Sequence, residues 1–390
     1  MDFILTPELS FLIGLAVFWM ILYVLGYVFH LDKHGLDTKP GYFMYKSKAL
    51  NSFLDRLAHK RHTLWLVLSN VGLAFSIGLM VFSIYFLTNN LLRFIFPTIG
   101  QVSPVYPVIP VLTIRFYWLP YFFLAVTIII LSHELAHGII ARLEGIPVLS
   151  TGIIAFLLFF GAFVEPDEKE FEKAPVLSRL RMLAAGSSTN LVTALIVFLL
   201  MTSLFAAPAG ILIYDVTADS PLARSGIDVQ RWDVIQAING TNVQTYNQYS
   251  DYMRAMRPNV TLTLTVLHAN QRRNITIVTD PHPNNSSRGR IGFELGLIPV
   301  YSPSRLGLDQ YTGVNIYFSL FWIYLLGVSV AMFNMLPAFP FDGERVLYYP
   351  LSSVVKKRKR ELRWALNGLF WGLFVLNMTL TFLIYGLPSI

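Results

Sequence analysis

The residues best able to do chemistry are His133, Glu134 and His137, in the stretch LSHELAHGII at 131–140. On a helix, histidines four apart project from one face, the spacing that puts two imidazoles on one zinc ion, with Glu134 beside them as a water-activating base. H-E-x-x-H is short enough to arise by chance. Its surroundings argue against chance, because the stretch lies in an apolar run, where each charged side chain costs about 2.5–3.5 kcal/mol in a bilayer core. The rival reading is structural, with Glu134 serving as a buried partner of His137. A catalytic zinc needs three protein ligands and an open position. The chain has no cysteine, so the third donor must be His, Asp or Glu. Asp342 in NMLPAFPFDGERV is the best candidate and Glu344 the next. Pro337 and Pro340 break the preceding span there, and Gly343 permits close backbone approach. The bland alternative takes FPFDG as an ordinary turn.

The elements that must position these residues are apolar. Of 390 residues, 54% are hydrophobic and 14% charged, and mean hydropathy is +0.55. That composition excludes an ordinary water-soluble globule and points to a polytopic membrane protein with some soluble mass. Runs long enough to cross about 30 Å of hydrocarbon occur near 11–29, 64–88, 117–140, 182–206, 313–336 and 364–387. The first follows a short acidic N-terminus without a basic n-region or cleavage site, so a retained anchor is expected rather than a signal peptide.

Net charge is +7, and its placement argues for topology rather than nucleic acid. All ten lysines fall in 31–62, 141–181 and 338–363. With their arginines these segments hold 19 cations, against Arg93 and Arg115 in the opposite short loop. The positive-inside rule puts the basic segments in the cytoplasm and both termini outside. The run KKRKRELR at 356–363 then serves topology and anionic lipid.

Residues 208–300 break the apolar pattern. GILIYDV, VTLTLTVL and RNITIVT read as strands, separated by turn signals such as ADSPLARSG and INGTN. With the amphipathic YNQYSDYMRAM between them, the segment resembles a PDZ domain of the kind inserted in bacterial and archaeal proteases. Topology puts it outside, in agreement with sequons at Asn239, Asn259, Asn274 and Asn285. A PDZ-like domain receives a carboxylate on the backbone N–H groups of a glycine-containing loop, and Gly210, Ile211 and Leu212 are the expected loop. A pure size filter, slightly favoured, needs no such pocket.

SHELAHG, AAGSSTNLVTA and FNMLPAFPFDG follow one another in the order and spacing of the site-2 protease family of intramembrane zinc metalloproteases, which the chain resembles over about 100–390. Ser187 stands where that family usually has proline, and Phe341 where leucine is commoner. The resemblance implies one zinc per chain on His133, His137 and Asp342, Glu134 as general acid/base, and Asn190 orienting substrate or stabilising the oxyanion. Independently, Asn190 sits about eight residues, roughly 12 Å, into its apolar run, at a depth matching the histidines. Its amide can donate without adding charge, although an interhelical packing asparagine would look the same.

The expected fold is therefore a polytopic α-helical membrane protein of about six spans, with a re-entrant β-like hairpin at 145–165 and an inserted PDZ-like α/β domain. The expected division is an accessory two-span region at 1–100, a first protease half at 101–207, the PDZ-like domain at 208–300 and a second half at 301–390. The implied activity is hydrolysis of membrane-anchored proteins within or near the bilayer of a prokaryotic, archaeal-like cell, with transmembrane proteins or peptides and lipid as partners. A prenyl-protein-type zinc protease would need a downstream glutamate motif, and a non-proteolytic PDZ scaffold would leave the H-E-x-x-H stretch without a purpose.

Overall fold

The computed structural model describes residues 7–355 and 357–387. Asp2 of the acidic N-terminus and Lys356 of the basic run lie outside them. The chain opens with α1 (Pro7–Val28), turns through strands β1 (Leu36–Lys39) and β2 (Tyr42–Ser47), and continues as α2 (Asn51–Lys60) and α3 (His62–Ile95). Helix α4 (Leu119–Leu143) leads into β3 (Val148–Phe156) and β4 (Phe159–Pro166), then α5 (Glu168–Lys173) and α6 (Val176–Leu204). A β-rich run follows: β5 (Ile211–Leu212), β6 (Asp215–Val216), β7 (Val234–Ile238), β8 (Thr241–Asn242), α7 (Tyr246–Ala255), β9 (Thr261–His268), β10 (Gln271–Val278), β11 (Asp280–His282), β12 (Asn285–Arg290) and β13 (Phe293–Glu294). The chain closes with α8 (Gln310–Asn334), α9 (Asp342–Val354) and α10 (Lys359–Tyr385). Two compact units are formed, one of Met1–Ile196 with Trp322–Ser389 and one of Val197–Phe321.

Among the described residues, six helices are long and apolar enough to cross a membrane: Leu9–Val28, His62–Ile95, Phe116–Leu143, Val176–Leu204, Gln310–Asn334 and Lys359–Tyr385. Their packing inverts the pattern of a soluble bundle. In α3 the buried stripe mixes Ser69, Gly72, Ser76, Ser83 and Asn90 with Leu73, Met80 and Leu87, while Phe75, Val81, Phe82 and Tyr85 face outward. Small residues let helices approach closely, and their hydroxyls find carbonyls across the contact. Ser76 Oγ donates to Ala184 O at 3.0 Å and Ser83 Oγ to Met332 O at 2.7 Å. An apolar core gathers Leu54, Ile139, Ile140, Phe171, Met182 and Val346 around the C-terminal half of α4.

The 145–165 segment forms the antiparallel hairpin β3–β4, with Ile153 opposite Ala162. The sheet is larger than the sequence suggested. Its order is β1-β2-β3-β4, with Tyr45 opposite Ile153, so two strands come from the stretch read only as a basic loop. Trp19 Nε1 of α1 donates to Leu157 O in the β3–β4 turn at 3.1 Å, which ties the first helix to the same hairpin.

The β-rich unit has a sheet ordered β10-β9-β7-β5 over a core that includes Ile213, Ile235, Leu262, Leu264 and Ile275. Helix α7 starts with a capping box in which Thr245 and Gln248 satisfy each other's backbone N–H groups. One expectation is corrected here. Gly210, Ile211 and Leu212 do not form an open carboxylate-binding loop, because Ile211 and Leu212 are buried and pair with Ile235 and Val234. On the other side, Leu212 N–H donates to Pro299 O and Tyr301 N–H to Gly210 O, so the segment is an interior strand. Its N-terminal glycine resembled a binding loop only while its neighbours on both sides were unknown. The open groove lies elsewhere in this unit, between α7 (Tyr246, Tyr249, Met253) and residues 289–295, and has a volume of 540 Å³.

Candidate metal centre

Helix α4 starts with Pro120 in its first turn, where a missing N–H costs nothing. It runs unbroken through His133, Glu134 and His137, so the histidines share a face, and both are 8% exposed. The third group arrives from α9. Helix α8 stops at Asn334, the chain turns through Pro337 and Pro340, and Asp342 opens the next helix. The turn is tight: any side chain at Gly343 would strike the Met335 carbonyl.

His133, His137 and Asp342 converge. The two Nε2 atoms are 3.0 Å apart, and Asp342 Oδ2 lies 3.4 Å from that of His133 and 3.2 Å from that of His137. A tetrahedron with zinc bonds of about 2.0–2.1 Å has edges of about 3.3–3.4 Å, so these donors fit three of its corners. Gly186 of α6 faces them. A Cβ at Gly186 would collide with both imidazoles, so its hydrogen keeps space clear beside the Nε2 atoms.

The surrounding groups orient the imidazoles. His137 Nδ1–H donates to Met182 O at 2.7 Å, which leaves its Nε2 with a free lone pair. Asn190, fully buried, holds its amide 3.1 Å from His133 Nδ1. Nε2 of His133 can bind a metal only if Nδ1 carries the proton, so the amide oxygen must face it; amide orientation is assigned from such networks rather than from shape. Asn334 is a residue the sequence reading passed over. Its Nδ2 donates to Asp342 Oδ2 at 2.6 Å and stands 3.1 Å from His133 Nε2. The signal was present as the asparagine of FNMLPAFPFDG, eight positions before the aspartate, but no role was attached to it.

Glu134 is not one of the converging donors; its Oε2 accepts the Val164 N–H of β4 at 3.1 Å. Within the sheet β4 pairs only with β3, so its other edge faces α4 at this carboxylate. Glu344, the alternative third donor, is committed elsewhere: it is 1% exposed and bound by Arg363 at 2.6 and 2.9 Å. Ser187, beside Gly186, is buried, and its Oγ has no hydrogen-bond partner among the described residues.

Known proteins resemble the chain on both levels. An uncharacterized protein, MJ0971, from Methanocaldococcus jannaschii is 27% identical over 350 residues, 89% of this chain and 87% of that protein. The PDZ domain of the SdrC-like protein Lin2157 from Listeria innocua is 23% identical, over 22% of this chain and 91% of that domain, with a TM-score of 0.20. Its Listeria monocytogenes counterpart Lmo2051 is 18% identical over 23% and 88%, with a TM-score of 0.20. The model of peptidase family M50 matches residues 121–378, which contain His133, Glu134, His137, Asn190, Asn334 and Asp342. The chain belongs to peptidase family M50, the site-2 protease family of metalloproteases.

Proposed function

We propose that the chain is an intramembrane zinc metalloprotease that hydrolyses peptide bonds of membrane-anchored proteins within or near the bilayer. The observation that carries this reading is the convergence of two imidazole Nε2 atoms and one carboxylate oxygen at 3.0–3.4 Å inside a unit whose helices expose apolar faces. One zinc ion on His133, His137 and Asp342 would supply Lewis acidity, acidifying water and polarising a carbonyl. Glu134 takes the proton of the attacking water and delivers it to the leaving amide nitrogen. Asn334, facing the donors, is the amide suited to the developing oxyanion. Asn190 instead holds His133 in its ligating tautomer.

A transmembrane helix hides its carbonyls in its own hydrogen bonds, so a substrate must unwind before it reaches Glu134. The edge of β4 beside Glu134 suits an extended segment by strand addition. With the basic segments cytoplasmic by the positive-inside rule, six spans would carry the β-rich unit to the outer side of a prokaryotic cell membrane. There the unit selects substrates. A size filter needs no pocket, but the 540 Å³ groove along α7, lined by Arg254, Arg288, Arg290 and Tyr249 and by no carboxylate, favours capture of an acidic chain end as a second reading. Co-purification from native membranes on a Glu134→Gln variant tests the function: trapped single-span proteins, cleaved when wild-type protein is added, are expected. Capture of no membrane protein, with no hydrolysis of reconstituted spans, would reject it.

A further inference from the structure

We propose that a groove at the start of α10 binds the headgroup of an anionic phospholipid, and that its occupancy steadies the turn carrying Asp342. This rests on the membrane reading above. The groove has a volume of 490 Å³ and is lined by Phe339, Arg360, Arg363, Trp364, Asn367 and Trp371. Its lining has two guanidinium groups and no carboxylate.

The charge is available. Lys357, Arg358, Lys359 and Arg360 are exposed, and among the described residues none of them makes an ion pair, with Glu361 the lone acid between 357 and 363. Arg363 is already neutralised by Glu344 at 2.6 Å, so Arg360 is the free cation at the groove itself. Juxtamembrane cations attract anionic lipid with an energy that falls off within a Debye length.

The aromatic groups select a lipid over a free anion. Trp364 is 70% exposed and Phe339 63% exposed, at the end of a helix apolar enough to span. Large aromatic rings beside cations at such an end belong at headgroup level, where an indole meets both acyl chain and water. Inorganic phosphate would meet the guanidinium but leave these rings in water.

The groove walls also hold the metal-bearing turn. Phe339 N–H donates to Asn367 Oδ1 at 2.6 Å, and Trp371 Nε1 donates to Phe339 O at 2.7 Å. Both polar backbone groups of Phe339 thus hang on α10, three residues before Asp342, and the Phe341 ring packs on Trp371 at 5.9 Å. A headgroup between Arg360 and Trp364 restricts α10 side chains that brace this turn, and through them the third donor. Asn367 and Trp371 are positioning residues in this account.

The test uses the full chain in mixed micelles of phosphatidylglycerol and phosphatidylcholine, with retained lipid read by native mass spectrometry. Wild-type protein should retain phosphatidylglycerol preferentially, and excess inorganic phosphate should not displace it. Arg360→Gln should lower the preference about five-fold, the factor for one basic residue at a membrane surface, and Trp364→Ala should weaken retention of both lipids. Equal retention of the two lipids by wild-type protein, or an unchanged preference in Arg360→Gln, overturns the site. In vesicles, phosphatidylglycerol should raise the cleavage rate of wild-type protein and leave Arg360→Gln at the basal rate with its zinc content unchanged. A cleavage rate indifferent to phosphatidylglycerol despite retained lipid overturns the link to the turn. Lipid retention is read without proteolysis, so a protein inactive on every substrate would still decide the binding question.

Discussion

In the β-rich unit, Asp233 is fully buried and receives a donor at every contact: Gln230 N–H at 2.9 Å, Tyr311 O–H at 2.9 Å and His268 Nδ1 at 2.9 Å. At α4, a histidine–aspartate cluster of similar burial is arranged the opposite way. Two Nε2 atoms 3.0 Å apart face one carboxylate oxygen, and the Nδ1–H of His137 is already spent on a carbonyl. The first cluster is balanced, donor against acceptor, and needs nothing more. The second converges two ring nitrogens and a carboxylate oxygen on one point, an arrangement that would suit a cation. Burial and a histidine–aspartate contact are common to both, so they do not mark a metal site. The balance of donors and acceptors does.

The largest contrast is expected at Glu134, the proposed base, which is not one of the three converging donors. Glu134→Gln should slow peptide hydrolysis by about 100- to 10,000-fold in a reconstituted cleavage assay while zinc stays bound. Loss of the metal along with activity would break the division between base and ligand. Next in size is Asn190→Ala, which removes the partner of His133 Nδ1 and should weaken zinc binding about 10- to 100-fold in chelator competition. A variant with wild-type zinc affinity and a lowered kcat alone would return Asn190 to the oxyanion role.

The balanced cluster should answer differently. Asp233→Asn should lower the opening free energy of the β-rich unit, read by amide hydrogen exchange in β7 and β9, by about 1–3 kcal/mol. Zinc content should not move. The smallest effect concerns the hairpin: Trp19→Phe removes the bond to Leu157 O and should cost about 0.5–1.5 kcal/mol, seen as faster exchange near the β3–β4 turn. Unaltered exchange there would detach α1 from the sheet.

How much of this the sequence carried depends on how local each interaction is. His133, Glu134 and His137 lie within one helical turn, so spacing alone brought them together, and the proline-rich context marked Asp342. The hairpin was legible because both strands and the turn lie within 148–166. The strands at 36–47 were not, since their pairing with β3 crosses about a hundred residues and KPGYFMYKS carries cations that read as topology. Gly186 stands in AAGSSTNLVTA as one small residue among several, and its approach to two imidazoles depends on how α6 crosses α4. The carboxylate-binding loop expected at 210–212 failed for the same reason, because an edge and an interior strand share one pattern until their neighbours are known.

The claim that most depends on this comparison is that only the unbalanced cluster holds metal. Zinc content should be measured by mass spectrometry on full-length wild-type protein, Asp342→Ala and Asp233→Asn, purified identically without chelator. The account expects about one zinc per chain in wild-type protein and in Asp233→Asn, and almost none in Asp342→Ala, as the three-ligand requirement of a catalytic zinc demands. Full occupancy in Asp342→Ala, or loss of zinc in Asp233→Asn, would contradict it.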